Sequence, residues 1–361
     1  MATHLAAVSL AKDSPFEVQS RTTPHPGPGE LLIAVKSIAL NPADLVMRKT
    51  GLFIAAHPAI TGFDISGLVL AVGQGVPPCF EPGVTRIAAY AAAAFKGCTP
   101  DYGAFQERCL VPWQHAAPLP EGTSWNQAAT LPVSVQVPLS AWDALGLPRP
   151  EQPLMESSSP KEALLVWGAS SSVGSMGVQT ARLVRDRDGA PIDAVYAVAG
   201  KANHEYVSSL GADRVFDYKD PDVVEAITAA AREDGLIIRH CFLATGQLEL
   251  CQAVLKTFVG EGQEEDDHKA KIASAPVIPA DAAAVEGVET IFLMPSLDEE
   301  ARLAQYKYWM GTFLGENLAK RVIRPSPEPR VVGKGIQAIN AGLDVLEKGV
   351  SCAKLVIEVA E

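Results

Sequence analysis

The residues with the clearest chemical potential lie between Glu162 and Gly177, EALLVWGASSSVGSMG. A short apolar run, Ala163 to Trp167, suits a strand buried on both faces of a parallel sheet. It stops at Gly168-Ala169, passes through Ser170, Ser171 and Ser172, and enters Val173-Gly174; Met176 to Val184 then has helical spacing. A strand, a tight glycine–serine turn and a helix together aim backbone N–H groups and a helix N-terminus at a phosphate. The spacing Gly168-x5-Gly174-x2-Gly177 is not the G-x-G-x-x-G fingerprint, so the turn alone also fits an ordinary strand-to-helix connection.

The next segment adds to this reading. Ala194 to Ala199 reads as a second buried strand ending in Gly200-Lys201-Ala202-Asn203. A dinucleotide-binding unit that prefers NAD carries an Asp or Glu there for the ribose 2′-hydroxyl. This chain has no acid at that place and has Lys201, which suits a 2′-phosphate and argues for NADP(H); an ordinary solvated lysine is the competing reading. Arg214 to Lys219 reads as a third strand and its exit. Earlier in the chain, Asn41-Pro42-Ala43-Asp44 follows the strand-like stretch Leu31 to Ile38, with a plain turn as the simpler account.

Metal chemistry finds little support. The six cysteines (Cys79, Cys98, Cys109, Cys241, Cys251, Cys352) are scattered with no C-x-x-C pair, which excludes a structural zinc cluster and favours reduced thiols. His57, Asp64 and Cys109 are the nearest approach to a catalytic ligand set, and the expectation is that no metal is held.

The elements that must position these residues follow from the pattern. Up to about residue 130, short strands with Gly/Pro turns (31–38, 68–72, 84–87, 106–111) follow a polar, turn-rich stretch over 1–30 and indicate a barrel-like β domain. After 161, strands at 163–167, 194–199, 213–217, 236–243 and 270–275, with 290–294 as a sixth candidate, alternate with helices at 173–187, 202–210, 221–232 and 246–256. That is a doubly wound parallel sheet. Residues 148–160 read as a hinge and 260–268 as a charged, solvated loop. A helical stretch at 299–320, strands at 322–332 and 354–359, and a helix at 335–348 close the chain.

At 361 residues, with 48% apolar and 20% charged residues, the composition is that of a soluble protein of about two domains. A net charge of −12 speaks against nucleic acid or an anionic membrane as partner. No apolar run reaches membrane-spanning length, and the N-terminus has no basic region before an apolar one. The expectation is a cytoplasmic protein.

Taken together, these motifs resemble the medium-chain dehydrogenase/reductases, in their zinc-independent branch of quinone and enoyl reductases, and most of all the fungal trans-acting enoyl reductases. Asn41-Pro42-Ala43-Asp44, Gly62-x-Asp64-x-x-Gly67, Asp101-x-Gly103-Ala104-Phe105, Leu131-Pro132, Gly168-Ala169-x3-Val173-Gly174, Leu210-Gly211-Ala212-Asp213 and Lys354-Leu355-Val356 carry the resemblance over nearly the whole chain. It implies an α/β fold: a GroES-like β-barrel catalytic domain over 1–130, a Rossmann domain over 131–310, and a C-terminal return to the catalytic domain over 311–361. It implies that Gly168, Ser170, Ser171, Ser172, Val173, Gly174, Gly200, Lys201, Asn203, Tyr218 and Lys354 hold NADPH. Asn41 and Asp44 would lie near the nicotinamide, and Leu131, Pro132 and Val137 beside the substrate. Phe63 stands where zinc-dependent members carry a histidine ligand, Gly200 where related reductases have Ser, and Val137 where they often have Thr. Val46, Arg48 and Lys49 occupy the places where some relatives carry a Tyr or Lys proton donor, which leaves the donor unassigned.

The implied activity is metal-free, NADPH-dependent reduction of the C=C bond of an α,β-unsaturated carbonyl or enoyl thioester. The substrate would be a small molecule or a carrier-bound acyl chain, with a polyketide synthase as candidate partner, and the protein a monomer or homodimer. The competing readings are a zinc-type alcohol dehydrogenase and a non-catalytic NADPH-binding protein.

Overall fold

In the computed structural model, which describes residues 2–149, 161–261 and 269–359, the apolar run before Gly168 is the strand Glu162–Trp167, buried at all six positions. It is the first of six strands in one sheet. Ala194–Val198, Arg214–Phe216, Ile237–Leu243, Ala270–Ser274 and Val288–Phe292 follow in chain order. In space they run third, second, first, fourth, fifth, sixth, and every neighbouring pair is parallel. Parallel neighbours need long crossovers. The helices Ser172–Arg185, His204–Ser209, Val223–Glu233 and Leu248–Lys256 supply them. The helices Val223–Glu233 and Leu248–Lys256 pack with the strands into a core containing Trp167, Tyr196, Ile227, Leu255 and Ile272. This unit spans Val137–Pro295.

The order reverses between the first strand and the fourth. Open α/β sheets bind ligands at such a reversal, beyond the carboxyl ends of the strands. Gly168 ends the first strand and Gly246 lies just past the fourth; both have positive φ, +79° and +126°. Neither has room for a side chain: a Cβ on Gly168 would fall 2.5 Å from the Thr245 carbonyl oxygen, and one on Gly246 would fall 2.6 Å from Trp167 Nε1.

The second unit comprises Met1–Gln136 and Ser296–Glu361. Its central strand, Glu30–Ala39, pairs antiparallel with Asp64–Val72, Arg108–Pro112 and Lys354–Glu358. Arg86–Tyr90 and Ala116–Pro118 extend one side, and Pro329–Lys334 joins the other in parallel with Lys354–Glu358. Leu31, Ile33, Ile38, Ile65, Phe105 and Ile357 fill the core. The last strand of the chain is therefore an interior strand of the sheet that the N-terminal segment builds.

Some elements differ from expectation. Residues 1–30 hold an antiparallel pair, Thr3–Val8 with Glu17–Thr22, in a stretch read as turns. Glu17–Thr22 is exposed at five of its six positions, so it shows no apolar alternation. Pro42–Thr50 is a helix. The stretch read as one helix over 299–320 is the α-helix Glu299–Tyr306, a π-helical stretch Lys307–Leu314 and the helix Gly315–Ala319. The two compact units part at 136/137 and 295/296. The helix Pro132–Leu145 runs continuously through the first of these points. The expected hinge lies outside the described residues from 150 onward, as does the charged loop from 262 to 268.

Candidate active site and cofactor cradle

The glycine–serine turn is held to the sheet by its own backbone. The N–H groups of Gly168 and Ala169 both donate to the Val198 carbonyl, at 3.0 and 2.9 Å. Ser171 caps the following helix, its Oγ accepting the Gly174 N–H at 3.1 Å. Gly174 sits so close beneath the turn that a Cβ there would be 2.2 Å from the Gly168 carbonyl oxygen. The first N–H groups of an α-helix have no partner inside the helix, so Ser172 and Val173 present donors at its positive end.

At the end of the second strand, Gly200 lies under the ring of Tyr218; a Cβ on Gly200 would be 3.3 Å from Tyr218 Cε1. The Tyr218 ring is half exposed, Lys201 is exposed and Asn203 partly so. The fold thus gathers Gly168, Ser170, Ser171, Ser172, Val173 and Gly174 on one turn. It gathers Gly200, Lys201, Asn203 and Tyr218 beside the next two strand ends.

Lys354 is a buried residue of the other unit, 3% exposed, at the start of the strand Lys354–Glu358. Its Nζ donates to Asn41 Oδ1 at 2.6 Å and pairs with Asp64 Oδ2 at 3.0 Å. Asn41 Nδ2 donates to the same Asp64 oxygen at 3.0 Å, and Asp64 Oδ1 accepts the Val133 N–H at 2.8 Å. Asn41 also begins the helix Pro42–Thr50. Pro42 gives up no needed donor at that position, and Asp44 Oδ2 accepts the Asn41 N–H at 2.7 Å. One buried cluster therefore fixes the start of two helices. Removing one member of a buried pair such as Asp64–Lys354 costs about 3–5 kcal/mol, because the other charge is left bare.

Asp44 is completely buried, and its Oδ1 has no hydrogen-bond partner among the described residues. Burial, and more weakly the neighbouring Asp64, raise its pKa to about 7, while its bond from the Asn41 backbone and the charge of Lys354 oppose the rise. Leu131 is buried just before the helix Pro132–Leu145; Pro132 begins that helix and Val137 lies a turn further along.

A group of aromatic residues beside this cluster escaped sequence reasoning. Tyr90 is the strand-pair partner of Asp64. Its ring centroid lies 5.5 Å from that of Phe63 and 5.0 Å from that of Tyr306. His115 stacks on Tyr306 with centroids 3.9 Å apart, and Trp309 meets Tyr306 edge-on at 5.2 Å. These residues come from distant parts of the chain, and nothing in their spacing pairs them.

His57, Asp64 and Cys109 do not assemble. His57 contacts Ser9, Asp64 is committed as described, and Cys109 is buried in its strand. Among the described residues no three His, Cys, Asp or Glu side chains are grouped as metal ligands.

Residues 27–121 match the alcohol dehydrogenase GroES-like domain. The chain is 37% identical to the trans-enoyl reductase tndF of Aspergillus flavipes, over 98% of each protein. The chain belongs to the medium-chain dehydrogenase/reductase family, with fungal trans-enoyl reductases among its relatives. A second such relative of this family member, the trans-enoyl reductase tazE of Aspergillus terreus, is 38% identical over 83% of this chain and 95% of its own. The fold is that of an alcohol dehydrogenase superfamily protein from Novosphingobium aromaticivorans, with a TM-score of 0.77 at 20% identity, covering 99% of this chain and 100% of that one. Members of the family are oxidoreductases that use a nicotinamide dinucleotide, and the GroES-like unit and the six-stranded parallel sheet are its two halves.

Proposed function

We propose that this chain is an NADPH-dependent reductase of the C=C bond of an α,β-unsaturated acyl thioester, acting in trans on chains carried by a polyketide synthase. The observation that carries this reading is the identity of 37% over 98% of the chain to a trans-enoyl reductase. The shape of the glycine–serine turn supports it.

The turn fits the phosphates of a dinucleotide. It leaves no space for a Cβ at Gly174, and it leaves the Ser172 and Val173 N–H groups for an anion. Gly200 and the Tyr218 ring would hold the flat base, with Ser170 and Asn203 at its edges. Lys201 would face the 2′-phosphate, in place of the acid that would repel it. The bound cofactor supplies the hydride to the β-carbon. Asn41, held on three sides by Lys354, Asp64 and Asp44, would be a rigid orienting group, and Leu131, Pro132 and Val137 would border the acyl chain. Carbonyl polarisation and proton delivery complete such a reduction without a metal.

Purified protein should oxidise NADPH, followed at 340 nm, when given an enoyl thioester, and should release the saturated thioester. No turnover with any enoyl thioester would sink this reading.

A further inference from the structure

We propose that the basic surface segment 320–334 is the docking face for an acidic carrier domain that brings the acyl chain on its phosphopantetheine arm; this rests on the enoyl reductase reading above. The segment holds five basic residues, Lys320, Arg321, Arg324, Arg330 and Lys334, and one acid, Glu328, in a chain whose net charge is −12. An anionic partner is repelled by the chain as a whole and must find a local basic face. All five basic residues are exposed. Lys320 pairs with Glu316 and Lys334 with Glu358, at the surface, where such pairs contribute little. Arg321 and Arg330 pair with no acid among the described residues. Val322 and Val331, 38% and 43% exposed, lie among the charges. Apolar side chains rimmed by one sign of charge suit a contact with a partner of the opposite sign.

The backbone at Arg321 adds an independent observation. Where the helix Gly315–Ala319 ends, the Val322 N–H donates to the Asn317 carbonyl at 3.0 Å and the Arg321 N–H to the Leu318 carbonyl at 3.1 Å. The residue at this point of such a helix end is left-handed and is usually glycine. Here it is an arginine at φ +57°. A residue held in a disfavoured conformation points to a task for its side chain, and this side chain is on the surface.

The segment also lies close to the buried polar cluster of its own unit. Pro329–Lys334 is the end strand of its sheet, with one edge open. Its other edge pairs with Lys354–Glu358, Pro329 opposite Lys354 and Arg330 opposite Leu355. Neighbouring strands run about 4.8 Å apart. Arg330 is thus one strand away from Lys354, whose Nζ reaches Asn41, and a phosphopantetheine arm is far longer than that. Charged side chains on an open edge also keep it from pairing with another chain. That task alone would leave the kinetics of every substrate untouched, which separates it from docking.

The test gives the full chain NADPH and two substrates. One is a crotonyl group on the phosphopantetheine arm of an acyl carrier domain of net negative charge; the other is the small uncharged thioester crotonyl-N-acetylcysteamine. Arg321→Glu and Arg330→Glu together should raise KM for the carrier substrate about tenfold or more, and leave kcat and the KM for the small thioester within about twofold. In the wild type only the carrier KM should rise with salt, because contacts between exposed charges are screened. Arg321→Gly should leave the melting temperature unchanged or higher, since glycine suits the left-handed position, and should still raise the carrier KM. Equal effects on both substrates, or an unchanged carrier KM in the double variant, overturn the proposal while leaving the reductase reading standing. If neither substrate is reduced, the reductase reading falls, and the anisotropy of a fluorescently labelled carrier domain still decides on docking. Binding to the wild type that is lost in the double variant supports it; equal binding to both, or none to either, overturns it.

Discussion

Asp44 has a helix-capping task that its motif does not display. In sequence, Asn41 to Asp44 resembles a segment beside the reacting group. In the structure, Asn41 begins a helix and Asp44 closes back on its N–H. The consequence is measurable. An unfolded Asp44 ionises near 3.8, whereas in the fold it does so at about 7. Within that window the folded chain keeps a proton that the unfolded chain has released. The stabilising contribution of this group is therefore full below pH 3.8, declines as pH rises, and is lost above pH 7. Asp44→Asn keeps an acceptor for the Asn41 N–H but cannot ionise. Its melting temperature relative to the wild type should thus rise between pH 5 and pH 8, by about 3 °C or more. A difference that stays flat across that range would show that Asp44 is charged throughout. Lys354, whose motif implies a place at the cofactor, contacts Asn41 and Asp64 in the fold, and those contacts were not legible in the sequence. Tyr306 and His115 had no signal at all, because a stack of two rings from remote segments exists only after folding.

At the scale of elements, legibility followed burial. Parallel strands covered on both faces are continuous apolar runs. The runs at 163–167 and 194–199 accordingly appear as Glu162–Trp167 and Ala194–Val198. The strand Glu17–Thr22, exposed along most of its length, had no pattern to read. The helix Pro42–Thr50 buries only Asp44 and Met47, so its apolar stripe was too thin to mark it. The strand–turn–helix around Gly168 was readable as a type, but its tightness was not; only the fold shows that Gly174 rests against the Gly168 carbonyl. Gly174→Ala must therefore push the turn away from the helix. The expected result is NADPH binding weakened by tenfold or more in a protein that still melts cooperatively. Unchanged affinity in this variant would mean that the turn does not hold the phosphates.

For the whole molecule, the alternation of strands and helices after residue 161 and the clustered short strands before it were enough to recognise two units. Their limits were harder. The helix Pro132–Leu145 crosses one limit without a break in its sequence pattern, and the return of the C-terminal segment to the first unit, expected from the resemblance, begins at Ser296. No helix among the described residues is long and apolar enough to cross a membrane. At a net charge of −12 the surface as a whole repels anions, so a dinucleotide with an additional phosphate must be held by local donors and not by the general field. The most direct measurement of that claim is an equilibrium fluorescence titration of the wild-type protein with NADPH and with NADH at physiological ionic strength. A charge-assisted contact from Lys201 to the 2′-phosphate stabilises the complex by about 1.5–3 kcal/mol, so NADPH should bind at least tenfold more tightly than NADH. Equal affinities, or tighter binding of NADH, would contradict the account.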